Sequence, residues 1–381
     1  MANPFKYDEP VEGVDFTDRE DDLETLLPLI ENGRNAVLMS PRRYGKSSLL
    51  AEASRRAEAK GVRVGTADLM GCGTEEMIAQ QLAETVSRGP ARGLQHLVQE
   101  LADKLARLRA GVSVVLEPNG SMKLEVAPTL AGEEPRWSDV IEAVLRSLGA
   151  ARKRHKVCLM VDEFQKTAEV NEQMPGIFKR MSDNPEMKGV SMVLAGSKYH
   201  VMQKIVGNDL ERVGTIMGID VIPAEVMVPF LEEHARESGQ PFATGVAGLV
   251  YRLAEGIPSD VQQLAFWAYE SASGRAVTED DVRTGLDRVI RKGAAVWDQQ
   301  QQALPSGQAG AQRALAHGAV KSVYGEAFKR RVGKSSNSQI KKALDALQDL
   351  EYVERAGGGW RISSPFRRIW LARLEGYPDP A

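Results

Sequence analysis

The feature that most constrains the fold lies near the start of the chain, where a short apolar run leads into a polar loop and then a helical pattern. Residues 36–39 are Ala-Val-Leu-Met, residues 40–47 are Ser-Pro-Arg-Arg-Tyr-Gly-Lys-Ser, and helical periodicity follows as far as Lys60. Gly61 ends that helix, and residues 62–69 form a second apolar run. Strand, helix and strand in this order predict a βαβ unit with parallel strands.

The loop between strand and helix matches all but the first position of the phosphate-binding pattern G-x-x-x-x-G-K-[ST]. In such a loop, backbone N–H groups surround the phosphates of a nucleoside triphosphate, the lysine binds the β- and γ-phosphates, and the hydroxyl binds Mg²⁺. Ser40 stands where the first glycine is usual, and serine adopts many turn geometries at modest cost. We therefore predict ATP and Mg²⁺ as ligands, with Lys46 as a catalytic residue and Ser47 as a metal ligand. The predicted nucleotide-binding loop consists of Ser40, Pro41, Arg42, Arg43, Tyr44, Gly45, Lys46, Ser47 and Ser48.

A second Gly-Lys-Ser occurs at residues 333–335. Such a string arises by composition alone in roughly one chain in five of this length. The second copy follows an amphipathic helical pattern instead of a strand, and no strand ending in two acids lies downstream of it. Because a phosphate loop needs a strand before it and a helix after it, Lys334 is not predicted to bind phosphate.

Two acidic residues, Asp162 and Glu163, directly follow a buried-strand pattern at residues 157–161. Ligands of open α/β sheets bind at the carboxyl ends of the strands, so both carboxylates are predicted to lie beside the phosphate loop. Asp162 is expected to hold Mg²⁺ together with Ser47, and Glu163 to polarise the attacking water. Ser197 ends the neighbouring strand pattern. It is either a catalytic residue that contacts the γ-phosphate or the water, or an ordinary turn residue.

Apolar runs that alternate with helical patterns continue through residues 1–223, the predicted ATPase core. Besides the two strands of the βαβ unit, strands are predicted at residues 157–161, 190–195 and 219–222. Strands that alternate with helices indicate an α/β fold with a parallel sheet and helices on both faces.

An insertion and two C-terminal modules are predicted around this core. The insertion, at about residues 71–135, contains a hairpin over 112–126, because alternating segments flank Pro118-Asn119-Gly120. Residues 224–295 are helical and form a lid. Residues 296–381 begin with a polar bridge and continue as three helices and a hairpin, the order of a winged helix-turn-helix. The insertion helices are predicted near residues 75–87 and 93–110, and the tail helices near 308–317, 324–331 and 338–350.

Charge is unevenly distributed along a chain whose net charge is only −3. Residues 310–381 contain 13 Lys and Arg against 7 Asp and Glu. A basic tail on an acidic body is typical of a nucleic-acid-binding module, although a solvated surface gives the same excess. The last tail helix would place residues 336–339 against base edges in the DNA major groove, whereas other winged helices bind proteins. The predicted phosphate contacts are Arg330, Arg331, Lys341 and Lys342.

Composition excludes several other classes of protein. With 43% apolar and 27% charged residues, the chain is neither disordered nor a fibrous rod. Its two cysteines, Cys72 and Cys158, cannot build a disulfide framework or a four-cysteine zinc site. No segment approaches the roughly 20 apolar residues that span a bilayer, and no leader pattern opens the sequence. A cytoplasmic location without a membrane partner is therefore expected.

Taken together, these motifs resemble those of the archaeal ATPase family, which lies within the AAA+ and STAND branch of P-loop proteins. The resemblance covers nearly the whole chain. It implies a P-loop NTPase parallel sheet with strand order 5-1-4-3-2, a helical lid and a C-terminal winged helix-turn-helix. The matching motifs are residues 16–20, 40–50, 161–164, 195–197, 256–258 and 363–371.

The resemblance also implies roles for residues outside the loop. Arg19 would lie by the adenine, and Gly256 and Pro258 of the lid would touch the nucleotide. Arg212, before the fifth strand, would reach the γ-phosphate of a neighbouring subunit in a homo-oligomer, or else be a solvated surface arginine.

Two departures from the family pattern bear on the rate of turnover. Ser40 replaces a glycine, and no arginine begins the helix after Gly256-Ile257-Pro258, where many AAA+ proteins carry a second sensor. Slow, switch-like ATP hydrolysis is therefore expected. Three hypotheses stay open: a nucleotide-dependent switch, a DNA-binding regulator resembling origin-recognition initiators in which ATP only sets the conformation, and a scaffold that holds nucleotide permanently and recruits a protein partner.

Overall fold

A computed structural model of the protein describes residues 3–7, 13, 16–17, 19–108, 111–117, 122–126, 135–205, 207, 213–333 and 336–379. The chain divides into two units. The N-terminal unit is Pro10–Asp220, and the C-terminal unit is Val221–Ala381 together with Met1–Glu9. Each has its own hydrophobic core.

The N-terminal unit alternates helices and strands along most of its length, as the sequence predicts. In chain order its elements are α1 (Glu20–Glu31), β1 (Ala36–Met39), α2 (Lys46–Ala59), β2 (Val62–Asp68), α3 (Glu75–Arg88), α4 (Gln95–Leu108), β3 (Val112–Leu116), β4 (Met122–Val126), α5 (Trp137–Arg152), β5 (Lys156–Asp162), α6 (Gln165–Val170), α7 (Pro175–Asp183), β6 (Val190–Gly196), α8 (Tyr199–Ile205) and β7 (Thr215–Gly218).

The central sheet of this unit has five parallel strands in the order β2-β5-β6-β1-β7. Counted along the chain without the hairpin strands, this is the order 5-1-4-3-2, so the predicted topology is confirmed. The three central strands are buried along almost their whole length, which explains their continuous apolar runs. In β1, Val37 and Met39 pack on one face of the sheet, and Ala36 and Leu38 pack on the other.

The fifth strand of the sheet lies four residues before its predicted position. The apolar pattern predicts it at residues 219–222, whereas the strand that pairs with β1 is Thr215–Gly218. An edge strand has only one neighbour and one strongly covered face, so it needs no apolar run, and three of its four residues are exposed. Ile219 and Ile222 are buried beyond the strand end, which explains the misplaced prediction.

The insertion contains the predicted hairpin, in which β3 and β4 pair antiparallel. Its turn, residues 118–120, lies outside the described residues. The predicted helices are present as α3 and α4. Gln80 of α3 accepts a hydrogen bond from the backbone N–H of Leu124 at 2.7 Å and donates one to the carbonyl of Met122 at 3.2 Å. The side chain of Gln80 thus satisfies backbone groups on the outer edge of β4.

The C-terminal unit is mainly helical. In chain order its elements are α9 (Ala224–Glu237), α10 (Val246–Leu253), α11 (Pro258–Ala272), α12 (Glu279–Ala303), α13 (Ser306–Ala314), α14 (Glu326–Val332), α15 (Asn337–Asp349), β8 (Val353–Ala356), β9 (Gly359–Ile362) and α16 (Pro365–Leu374).

Helix α12 runs through the polar stretch 298–302 that the sequence analysis predicted as a bridge. It begins with a capping box, in which Thr278 and Asp281 satisfy each other's backbone N–H groups. The glutamine-rich C-terminal end of α12 is compatible with a helix, because straight-chain side chains such as glutamine lose little rotamer freedom in a helix. Like the other helices in the described parts of the chain, α12 lacks the apolar length needed to cross a membrane.

The segment from α13 to β9 has the predicted order of three helices and a hairpin. Val320 and Trp360 exchange backbone hydrogen bonds of 2.8 and 3.0 Å, which adds a short bridge beside β9. A Cβ atom on Gly359 would lie 2.8 Å from the Val320 carbonyl oxygen, so glycine permits this close approach. We call residues 306–362 the helix–hairpin segment; that it acts as a winged helix stays a prediction.

Candidate functional site

The loop that joins β1 to α2 takes its shape from two left-handed residues, Arg43 at φ 72° and Gly45 at φ 87°. Ser40 is not among them, so the position where glycine is usual does not require glycine here. Ser40 is fully buried, and its N–H donates to the Gly196 carbonyl at 3.3 Å. The start of the loop is therefore fixed to the end of β6.

Lys46 and Ser47 form the first turn of α2 and face the end of β5. The Lys46 ammonium, in a side chain only 5% exposed, contacts the Asp162 carboxylate and lies 3.2 Å from Glu163 Oε1. Ser47 Oγ donates to Asp162 Oδ2 at 2.8 Å. The structure thus brings together the lysine, the hydroxyl and both acids that the sequence analysis singled out.

Glu163 is held in an unusual backbone conformation, with φ 55°. Its N–H donates to Asp162 Oδ1 at 2.8 Å, and the next N–H, of Phe164, donates to the Ala195 carbonyl at 2.8 Å. Positive φ in a non-glycine residue persists only where surrounding contacts enforce it, and such residues cluster at functional sites. The side chain of Glu163 is accordingly aimed back into the sheet edge, where it is 7% exposed.

Ser197 and Gln165 complete the surroundings of the Glu163 carboxylate. Ser197 Oγ donates to Glu163 Oε2 at 2.8 Å, and the Gln165 amide donates to the same oxygen. Burial raises the pKa of Glu163, but the nearby Lys46 charge and the hydrogen bonds from Gln165, Ser197 and Lys46 outweigh it and leave the pKa below its ordinary value. The carboxylate is therefore stabilised as an anion.

Gln165 was missed by the sequence analysis. Its side chain is fully buried between Glu163 and Ser197. The available signal was its position two residues after Glu163, because residues that follow strand ends line the sites of open α/β sheets.

Arg19 lies against the backbone of the loop. Its guanidinium donates to the Tyr44 carbonyl at 2.9 Å and to the Asp220 carbonyl at 2.6 Å, and it pairs with Asp22 at 3.4 Å. It is 8% exposed. Arg19 therefore holds the backbone of the loop in place. Its position beside the adenine stays a prediction.

The remaining predicted site residues are placed as follows. Arg42 is exposed at the tip of the loop, where its guanidinium lies 3.7 Å from the Met70 sulfur, and Pro41, Arg43 and Ser48 are half-buried. Gly256 and Pro258 lie in the C-terminal unit, with Gly256 at φ 71° and Pro258 opening α11. Arg212 lies outside the described residues.

Of the second Gly-Lys-Ser, at residues 333–335, the structure describes the glycine. Gly333 ends α14 as a left-handed C-cap at φ 68°, a common use of glycine, and it follows a helix instead of a strand. Lys334 and Ser335 lie outside the described residues. Gly333 thus ends a helix, whereas a phosphate loop follows a strand.

A buried glutamate, Glu52, ties α2 to the chain that precedes it. It is 1% exposed and accepts hydrogen bonds from Arg55 at 2.9 Å, from Arg56 at 2.7 Å and from the Gly13 N–H at 3.3 Å. Arg56 also pairs with Glu20 of α1 at 2.7 Å. The hydrogen bonds from Arg55 outweigh burial and, with those from Arg56 and Gly13, lower the pKa of Glu52 to about 2.

Replacing Glu52 by glutamine is expected to destabilise the protein by about 1–2 kcal/mol at pH 7, because the paired arginines lose their buried anion. The folded-state pKa of Glu52 is depressed, so its stabilisation is present above the ordinary pKa of 4.5 and is lost as pH falls towards about 2. Urea unfolding at pH 7 and pH 3 should therefore show a smaller difference between wild type and variant at pH 3. Glu58→Gln, an exposed change on the same helix, is the control. A difference that does not narrow with acid contradicts this account.

A cavity of about 490 Å³ lies beside Ser47 and Asp162, the two residues expected to hold Mg²⁺. Most of its lining comes from α2, and Thr66 and Asp68 of β2 also contribute. The space beside the oxygen atoms of Ser47 and Asp162 is thus bounded by α2 and by the ends of β2 and β5.

The fold and the site together define a class of protein. A parallel sheet in the order 5-1-4-3-2, a phosphate-type loop after its first strand and two acids at the end of its third make this a P-loop NTPase. The chain belongs to the ATPase domain family found predominantly in Archaea, whose model matches residues 16–264. The resemblance inferred from the motifs is thereby confirmed.

Similar solved structures span nearly the whole chain. The Walker-type ATPase of Pyrococcus abyssi is 17% identical, with a TM-score of 0.67 over 97% of this chain and 99% of that one. The ORC1 protein of Aeropyrum pernix, in complex with DNA, is 16% identical, with a TM-score of 0.52 over 96% and 94%. The ORC2 protein of the same organism, in its ADP form, is 13% identical, with a TM-score of 0.53 over 97% and 97%. At these identities the likeness concerns the fold alone. No curated protein matches the chain.

Proposed function

We propose that the protein is an ATP-dependent switch, which binds ATP with Mg²⁺ at residues 40–48, hydrolyses it slowly and couples the nucleotide state to the helix–hairpin segment. The observation that carries this proposal is the meeting of Lys46, Ser47, Asp162 and Glu163 at one sheet edge, although about 115 residues separate the two pairs. Membership of an ATPase family supports it.

The groups present suit the proposed ligands. Mg²⁺ prefers oxygen donors, and Ser47 Oγ and the Asp162 carboxylate already lie within 2.8 Å of each other. The Lys46 charge suits the β- and γ-phosphates, and the N-terminus of α2 adds N–H groups and a favourable dipole. Bound Mg²⁺ would neutralise charge that develops on the phosphates.

Glu163 is proposed to activate the attacking water. Its carboxylate is anionic, buried and held on one oxygen by Ser197 and Gln165, which leaves Oε1 on the side of Lys46. Ser197 is proposed to orient the water or the γ-phosphate. Arg212 is proposed to act in trans in a homo-oligomer.

Slow turnover is supported by the start of α11. Residues 259–263, after the Gly256-Ile257-Pro258 motif, are Ser-Asp-Val-Gln-Gln and include no arginine. An arginine that contacts the transferring phosphoryl group raises the rate of related enzymes by large factors, so a lid helix that supplies no such arginine is expected to give slow cycling.

Coupling to the C-terminal segment is supported by Glu255, which directly precedes the proposed nucleotide-contacting motif. Glu255 adopts φ 52° and is held by two arginines, with Oε2 at 3.2 Å from Arg361 of β9 and Oε1 at 2.6 Å from Arg368 of α16. A shift of Gly256 would therefore be transmitted to the hairpin through these ion pairs.

ATP binding and phosphate release by the full chain, with and without Mg²⁺, test the proposal. Loss of binding on changing Lys46 and loss of turnover on changing Glu163 are the expected signs of a switch. Nucleotide that co-purifies and never exchanges would point instead to a permanently loaded scaffold.

A DNA-binding regulator is the second candidate function, and the exposed basic residues of the helix–hairpin segment favour it. Arg330 and Arg331 of α14 and Lys341 and Lys342 of α15 are exposed and form no ion pair within the described residues. Asn337, at the start of α15, is exposed, as are the next two residues. Polar groups at a helix N-terminus flanked by basic residues match the chemistry of major-groove binding. The likeness to a DNA-bound ORC1 fold is compatible with it.

Changing Lys341 and Lys342 together to alanine is expected to weaken DNA binding about 10-fold at moderate salt. The slope of log affinity against log salt should fall by roughly 2, because two phosphate contacts no longer release counterions. Fluorescence anisotropy with a labelled duplex at several salt concentrations measures both. The matched control is Lys153→Ala with Lys188→Ala, two exposed lysines of the N-terminal unit. Binding without salt dependence, or equal loss in the control, argues against this surface.

A further inference from the structure

The Gln165 side chain forms a bridge between the two loops that follow β5 and β6. Its Oε1 accepts the Ser197 N–H at 3.3 Å, which fixes the orientation of the amide. Its Nε2 then donates to Glu163 Oε2 and lies 3.3 Å from Ser197 Oγ. Both ends of one fully buried amide are therefore used within the site.

Space for this bridge depends on the residue before Ser197. A Cβ atom on Gly196 would lie 2.7 Å from Gln165 Oε1 and 2.5 Å from the Met202 sulfur. Such distances are too short for a real side chain. The glycine therefore leaves room for the Gln165 amide to reach the backbone of Ser197.

The two carboxylate oxygens of Glu163 have different surroundings. Oε2 accepts from Ser197 and Gln165, whereas Oε1 faces Lys46 at 3.2 Å. A carboxylate anchored through one oxygen presents the other in a fixed direction, and catalytic groups depend on such placement to within a fraction of an ångström.

We propose that Gln165 is a positioning residue for ATP hydrolysis: it anchors Glu163 through Oε2 and Ser197 through its backbone, so that Oε1 is directed at the attacking water. This inference rests on the proposed ATPase function. Both ends of the Gln165 amide are engaged by Glu163 and Ser197, so its loss is expected to lower turnover and to leave ATP binding intact.

Gln165→Met is the informative variant, because methionine fills a similar volume without a donor or an acceptor. The turnover number of the full chain is expected to fall about 10- to 100-fold, while the Kd for ATP stays within about 3-fold of wild type. In a Glu163→Gln background the same change should cause no further loss, because no carboxylate base is left to position. Gln173→Met, an exposed glutamine near the end of α6, is the control and should be unchanged.

Several results overturn the inference. An unchanged turnover number shows that the bridge is not needed, and an increase shows that it restrains Glu163 instead. If Gln165→Met lowers the turnover number equally in the Glu163→Gln background, Gln165 contributes to packing and does not position Glu163. A fall in ATP affinity as large as the fall in turnover leads to the same conclusion. If methionine lowers the melting temperature, Gln165→Leu supplies the same comparison, because leucine is similar in volume and also lacks a donor and an acceptor. Wild-type protein that binds ATP but never hydrolyses it removes both the hydrolytic function and this role, whereas normal wild-type turnover with an unaffected Gln165→Met removes this role alone.

Discussion

Lys46→Ala is expected to weaken ATP binding by at least about 100-fold, because a charge-assisted contact to phosphate in a largely buried site is worth roughly 3 kcal/mol or more. The change also leaves Asp162 and Glu163 without the ammonium that contacts both of them. A modest loss of stability should accompany the loss of affinity, since a buried charge left without its partner is costly. Titration with a fluorescent ATP analogue, alongside thermal unfolding, separates the two effects.

The chain offers an unusually close control for this experiment. Lys334 stands in the second Gly-Lys-Ser string, and Lys334→Ala removes the same charge from nearly the same local sequence. It should leave ATP binding unchanged. If Lys334→Ala abolished binding and Lys46→Ala did not, the phosphate site would have to be reassigned to the C-terminal unit.

Glu163→Gln is expected to lower the turnover number by at least about 100-fold without weakening ATP binding. The amide keeps the size of the side chain but cannot accept a proton from water. It also removes one of the two anions that contact Lys46, so affinity for ATP should be equal or higher. Phosphate release under single-turnover conditions, together with the ATP titration, measures both quantities.

Glu169→Gln is the matched control for Glu163. Glu169 pairs with Lys166 at 2.8 Å and with Lys198 at 2.6 Å, outside the cluster around Lys46. Its variant should hydrolyse ATP normally. Turnover that survives in Glu163→Gln, with Glu169→Gln equally active, would mean that another group activates the water.

The parts of the site that the sequence could predict are those coded by short, continuous strings. The loop at residues 40–47 and the acids at the end of β5 each follow an apolar run, and parallel strands bring their carboxyl ends to one edge. Their contact, seen between Lys46 and Glu163, therefore follows from local patterns and one topological rule.

The parts that the sequence could not predict depend on distant partners. Arg19 donates to the carbonyl of Asp220, 201 residues away, and no local pattern encodes such a contact. Strand β7 lies at the sheet edge and lacks the apolar run on which strand prediction relies. Gln165 looks like an ordinary helix-start residue until Ser197 is placed beside it.

The C-terminal end of β6 holds the parts of the site together, and this determines how far other segments of the chain can change without disturbing the site. Its last residues accept the N–H of Ser40 at 3.3 Å and the N–H of Phe164 at 2.8 Å, and the next residue, Ser197, contacts Glu163. The phosphate loop and the segment that carries Glu163 are thus both hydrogen-bonded to the same short stretch at the end of β6. The distance between the lysine and the base is set there and not by the polypeptide that connects them. The connecting segment, residues 71–135, therefore bears on the site through packing, and a designed chimaera would have to keep Ile78, Leu82 and Val86, which belong to the core against one face of the sheet.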